Sequence, residues 1–198
     1  MAFPTTGILD NFDRSDTHPM TGWTDYANGL DANGATAQAS VAATNVSYWN
    51  ISYGANAEGY ITMTTKGTSS TQLFLLDTSF NGYMLDADPS GGYTVYRYDA
   101  GTPTSIDSGV HSWANGDSIG IYVTTDGTVY SYYKTGAGAW TLLDTTADGT
   151  HTAKNYFPGL TLYDTTARVD NFGGGTYVPP VEVVTSIVYP DTTQVFFL

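Results

Sequence analysis

The chain of 198 residues contains no cysteine, which rules out disulfide staples and thiolate metal sites. Charge is scarce: 13% of residues are Asp, Glu, Lys or Arg, and only six are basic. Without a basic stripe to neutralise phosphates, nucleic acid is a poor partner, and anionic membrane surfaces are disfavoured for the same reason. Good helix formers are rare, with Glu only at Glu58 and Glu182 and Lys only at Lys66, Lys134 and Lys154. No apolar run approaches the roughly 18 residues or more of a membrane-spanning helix. The opening MAFPTTGILDNF has neither a basic segment nor an apolar core of the secretory kind, so synthesis in a cytoplasm is expected.

What is present points to strands. Aromatics make up 14%, with 16 Tyr, and 22 Gly supply turns. Net charge is −13, nearly all from Asp, a residue of turns and hard-cation sites. The clearest stretch is GDSIGIYVTTDGTVYSYYKTGAGAWTLLDTT, residues 116–146, a three-strand meander. Ile119, Ile121 and Val123 alternate, Asp126-Gly127 makes a hairpin turn, and Tyr130 and Tyr132 share one face of the return strand. Shorter runs at 59–67, 70–79, 81–88, 92–99, 157–165 and 167–174 repeat the pattern. Residues 24–46, rich in Ala, Asn and Thr, read as loop with one or two weak strands. LDADP, carrying Asp86 and Asp88, reads as a turn. No segment has a helical period. The fold class expected is all-β: an antiparallel β-sandwich (jelly roll) with a C-terminal extended tail.

After Gly173-Gly174-Gly175 the composition changes. VPPVEVVTSIVYPDTTQVFFL has no Gly, opens on a Pro pair and ends on bare apolar residues. The expected division is a domain over 1–177 and an extension over 178–198 for assembly or tethering. Val183, Ile187, Val195, Phe196, Phe197 and Leu198 would bury against another subunit.

Three segments, ILDNFDRSD…GW at the start, the GDSIGIYVTTDGTVYSYYK…W meander, and GLTLYDTTARVDNFGGG at the close, resemble the concanavalin A-like, laminin-G-like jelly-roll superfamily, over roughly 7–177. The resemblance implies that the two Asp-Asn-Phe segments lie on adjacent antiparallel strands, with Leu9, Val169, Phe12 and Phe172 in a shared core. It also implies a calcium site near the closing strand, with Asp170 and Asp10 as ligands, assisted by Asn11 or Asp13.

Domains of this kind occur in carbohydrate-binding modules and in bacteriophage virion proteins, so fold does not select a function. A glucanase on this fold would carry two Glu and an Asp at alternate positions of one strand, which this sequence lacks. The histidines His18, His111 and His151 stand apart, in loop contexts. The main expectation is therefore a non-enzymatic structural or decoration protein of a virus particle, of the tailed-bacteriophage type, located in the virion. It would partner other virion proteins and itself as a homo-oligomer, with no membrane insertion. The alternative is a carbohydrate- or receptor-binding module stacking a cell-surface glycan on Tyr96, Tyr98, Trp113, Tyr130 and Tyr132. A glycan-active hydrolase with a degenerate site ranks behind both.

Overall fold

The structure, a computed structural model, describes residues 2–179. Sixteen strands follow in order, and no helix occurs among the described residues. The first eight are β1 (Ile8–Asp10), β2 (Ser15–Asp16), β3 (Trp23–Ala27), β4 (Leu30–Asn33), β5 (Ala37–Ala39), β6 (Asn45–Trp49), β7 (Ala57–Thr65) and β8 (Thr71–Leu76). The rest are β9 (Gly82–Asp88), β10 (Gly92–Asp99), β11 (Thr102–Gly109), β12 (Ser118–Val123), β13 (Thr128–Lys134), β14 (Thr141–Ala147), β15 (Phe157–Leu162) and β16 (Arg168–Thr176).

They form two antiparallel sheets. The nine-stranded sheet runs β14-β13-β12-β7-β16-β5-β4-β2, with β1 also pairing β16. The seven-stranded sheet runs β11-β10-β9-β8-β15-β6-β3. Alternation assigns the faces. Ile119, Ile121, Val123 and Val129 from one sheet meet Leu73, Leu75, Leu85, Val95 and Leu160 from the other, all fully buried. Burying each such side chain is worth ~1.5–3 kcal/mol, which makes this layer the main source of cohesion.

The terminal strands meet as the resemblance implied. β1 pairs β16 antiparallel, and Phe12, Phe172 and Val169 are buried with Leu9 packed against them. The two Asp-Asn-Phe copies are not conformational twins. The left-handed residue is Phe12 (φ 52°) in the first and Asn171 (φ 53°) in the second. Asn tolerates that region, whereas Phe enters it at a cost. The Asp10 carboxylate accepts the Phe12 N–H at 2.8 Å, and the fully buried ring holds the residue there.

Three readings of the sequence need correction. Residues 24–46 carry β3, β4, β5 and the start of β6 rather than a loop with weak strands. Their small side chains lack β-propensity, yet Ala32, Ala37 and Ala39 lie buried beside Leu30, so packing overrides propensity. TPTSIDSG, not read as a strand, is β11, the outermost strand of its sheet, where Pro103 removes no internal ladder bond. Asp86 and Asp88 lie on β9, and the turn begins only at Pro89. The extension residues Val183, Ile187, Val195, Phe196, Phe197 and Leu198 lie outside the described residues.

Candidate functional site

The seven-stranded sheet turns a second apolar surface away from the core. Along β8 the core takes Leu73 and Leu75, so Gln72, Phe74 and Leu76 face outward. The register places Met84 of β9 beside Phe74 and Tyr96 of β10 beside Met84, while Gly159 of β15 lies on Phe74's other side. Gly159 is required there: a Cβ would collide with the Phe74 ring and crowd the Ser47 carbonyl. Tyr48 of β6 follows next to Gly159 and meets Phe157 edge to face at 5.5 Å between ring centres.

Phe74, Leu76 and Met84 therefore form a floor, walled by Tyr48, Tyr96, Tyr98, Val46 and Phe80. Two depressions open onto it, one of about 170 Å³ and one of about 140 Å³. Asp25, Asp77 and Thr78 edge the first; Gln72, Thr161 and Tyr163 supply polar atoms to the second. One row along the sheet is polar: Asp86 sits opposite Gln72, which sits opposite Thr161. Gln72 Nε2 donates to Asp86 Oδ2 at 3.3 Å, and the Tyr163 hydroxyl donates to Gln72 Oε1 at 2.9 Å. Burial raises the Tyr98 phenol to about 12, with Tyr163, Tyr96 and Asp86 adding to the rise. Burial likewise raises the Asp86 carboxyl, and Asp88 pushes the same way. Aromatic faces beside fixed hydroxyl, amide and carboxylate groups can stack on an apolar ring face while bonding hydroxyls at its edge.

The sugar-stacking residues expected from sequence are scattered by the fold. Tyr96 and Tyr98 belong to this face. Trp113 does not: it is buried in the core between the sheets, its Nε1 donating to the Gly92 carbonyl at 2.6 Å. Tyr130 and Tyr132 lie on the outer face of the other sheet. There Phe3 stacks on Tyr132 at 4.1 Å, and Trp140 packs edge-on to Phe3 at 5.0 Å. The same N-terminal strap seals Glu58, whose Oε1 accepts the Thr5 and Thr6 amides at 2.8 and 2.6 Å. A shallow depression of about 480 Å³ remains beside Tyr130, Trp140 and Leu142. Sequence reasoning missed Phe74, Tyr48, Phe80 and Tyr26. Alternation within QLFLL held the signal for Phe74, whereas Phe80 and Tyr26 reach the face only through a loop and an outermost strand.

The expected calcium ligands are otherwise engaged. Asp10 takes a two-pronged bond from Arg14 at 2.6 and 2.8 Å, the Trp23 Nε1–H at 2.8 Å and the Phe12 amide. Burial works against its charge, but these donors outweigh it and hold the carboxyl below its ordinary range. Asp170 accepts the Asn171 amide and Nδ2 at 2.6 and 2.7 Å; burial raises its carboxyl, with repulsion from Asp13 and Asp10 adding. Among the described residues, no group of three or more His, Asp or Glu side chains is placed to hold a metal ion.

Against solved structures the chain is similar to several β-sandwiches. The carbohydrate binding module CBM66 from Bacillus subtilis matches with a TM-score of 0.59 at 16% identity, covering 78% of this chain and 95% of that one. The exoplasmic/lumenal domain of VIP36, in a form bound to Ca²⁺ and Man3GlcNAc, gives 0.60 at 8% identity, covering 84% and 89%. A Bacillus licheniformis beta-glucanase gives 0.59 at 9% identity, covering 88% and 100%. The fold is an antiparallel β-sandwich of the jelly-roll type, shared with these structures. No family model and no curated protein matches the sequence. At these identities the likeness establishes the architecture, and any activity must be argued from the site.

Proposed function

We propose that this jelly roll is a carbohydrate-binding module that takes a glycan on the outer face of its seven-stranded sheet. The observation that carries the proposal is the Phe74–Leu76–Met84 floor with aromatic walls and a polar rim of Asp25, Asp77, Gln72 and Thr161. An apolar surface left outside a finished core, with few and fixed polar groups, is the usual make-up of a small-ligand site. Two of the structural neighbours, the carbohydrate binding module from Bacillus subtilis and the VIP36 domain in its Man3GlcNAc-bound form, support the reading. Hydrolysis has less behind it, since Glu58 is sealed beneath Thr5 and Thr6 on the opposite sheet.

Isothermal titration against neutral gluco-, manno- and fructo-oligosaccharides tests the proposal. Binding weakened at least tenfold by Tyr48→Ala and unchanged by Leu142→Ala supports it. Binding lost through Leu142→Ala and kept in Tyr48→Ala overturns it.

The virion-building role expected from sequence rests on residues 178–198, and a particle location stays a proposal tied to them. Mass-spectrometric detection of the chain in a purified particle tests that location.

A further inference from the structure

The two depressions on the outer face adjoin, sharing Tyr26, Phe74, Leu76 and Phe80 in their linings. Tyr26 of β3 and Phe80 of the β8–β9 connection meet above the floor with ring centres 4.1 Å apart, and both rings line both depressions. Phe80 is pinned. Its N–H donates to the Asp77 carbonyl at 3.0 Å, and its own carbonyl accepts the Gly101 amide at 3.0 Å. Asp77 Oδ1 accepts the Ser79 and Asn81 amides at 2.8 and 2.9 Å, and Lys154 reaches Asp77 Oδ2 at 3.3 Å. Asn81 Oδ1 in turn accepts the Ala100 amide at 2.9 Å, tying the connection to the next hairpin. Tyr26, by contrast, is 62% exposed and sits at the bulge of β3 between the Asp25–Ser47 and Ala27–Val46 pairs.

From this bridge we infer that the site reads the end of an uncharged glycan chain rather than its interior, an inference that rests on the sugar-binding reading above. The socket on the Asp77 side has Phe74 and Leu76 as its floor, Tyr48 and Phe157 as walls and the Tyr26–Phe80 pair closing its far side. Its volume of about 170 Å³ is below the ~300–1,000 Å³ of sites that enclose larger ligands, so it admits a terminal unit and not a run of them. A chain laid across the face would have to cross the bridged rings. Charge narrows the ligand further. The charged residues lining the two depressions are Asp25 and Asp77, with no Arg or Lys among them. A uronate or sulfated sugar would meet the Asp25 carboxylate, Asp77 being paired with Lys154, in a chain of net charge −13.

The test is affinity against chain length, using neutral gluco-, manno- and fructo-oligosaccharides of one to six units and an oligogalacturonate as the acidic probe. The expected result is a dissociation constant flat within about twofold from the shortest bound member to the hexamer, at least tenfold weakening when the recognised end is capped, and no binding of the oligogalacturonate. Tyr26→Ala, with Phe80→Leu as a second variant, should open the floor and make affinity rise at least fivefold with length. A wild-type affinity that climbs tenfold from dimer to hexamer and ignores end-capping overturns chain-end recognition while leaving sugar binding intact. Tight binding of the oligogalacturonate overturns the charge selection. Failure of every oligosaccharide to bind overturns the sugar-binding reading and this inference with it.

Discussion

Removing the Asp10 carboxylate should unlatch the seam where the two ends of the domain meet. Its side chain is 4% exposed and accepts from Arg14, Trp23 and Phe12, so one group ties β1, the following turn and the start of β3 together. Asp10→Ala leaves the Trp23 indole N–H and the Phe12 amide without that acceptor, at about 1–3 kcal/mol for each buried group that finds no substitute. It also strands the Arg14 guanidinium. Breaking a buried pair costs about 3–5 kcal/mol, but Arg14 is 30% exposed and can turn to water, so the lower end applies. With each contribution taken at its lower end, the expected loss is about 5 kcal/mol in urea unfolding, with an unchanged slope. Asp10→Asn should lose nearly as much, because its amide group would face the guanidinium donor to donor. An Asp10→Ala, Arg14→Met double-mutant cycle should return a coupling of at least about 1 kcal/mol. A loss under about 1 kcal/mol for Asp10→Ala, or no coupling, would refute the view that this carboxylate latches the seam.

Asp164 should set part of the acid limit. Burial opposes its charge, yet the Thr166 hydroxyl and the Ala167, Ser69 and Thr166 amides lower its carboxyl to about 2. A carboxyl lower in the folded than the unfolded chain stabilises above the unfolded value of about 3.9, and that stabilisation fades as pH falls through about 2. Discounted for solvent screening, the wild type should exceed Asp164→Asn by about 1 kcal/mol at neutral pH, with the gap closing towards pH 2 in acid titrations. Gly159→Ala should cost about 1–3 kcal/mol because its Cβ meets Phe74, while Gly54→Ala, with open space around it, should stay within about 0.5 kcal/mol in thermal unfolding. Calcium should shift the melting temperature by less than about 1 °C, as Arg14 already occupies Asp10. A rise of several degrees that vanishes in Asp170→Ala would restore the metal site.

The sandwich was legible because alternation is a local signal. Ile119-x-Ile121-x-Val123 states its own face, and the two Asp-Asn-Phe segments marked the strands that close the fold. The hairpins at 24–46 were hidden because Ala32, Ala37 and Ala39 are chosen for close packing, which shows only once a partner is in place. The site was half legible for a related reason. Tyr96, Tyr98, Tyr130 and Tyr132 all alternate outward on their strands, and periodicity cannot tell which sheet a strand joins or what covers it. The N-terminal strap lays Phe3 on Tyr132 and covers part of that sheet's outer aromatic row, whereas Phe74, Leu76 and Met84 floor the outer face of the other sheet. Trp113, expected among the stacking residues, instead places its indole on the Gly92 carbonyl inside the core. Phe80 and Tyr26 become neighbours only through tertiary structure, so no local pattern could announce their bridge.

Backbone and side-chain NMR of the protein titrated with a neutral oligosaccharide that binds it would test the central claim most directly. The expected shift changes concentrate on Phe74, Leu76, Met84, Tyr48 and the Asp77–Asn81 connection. Changes confined to Tyr130, Trp140 and Leu142, with the outer face of the seven-stranded sheet silent, would contradict it.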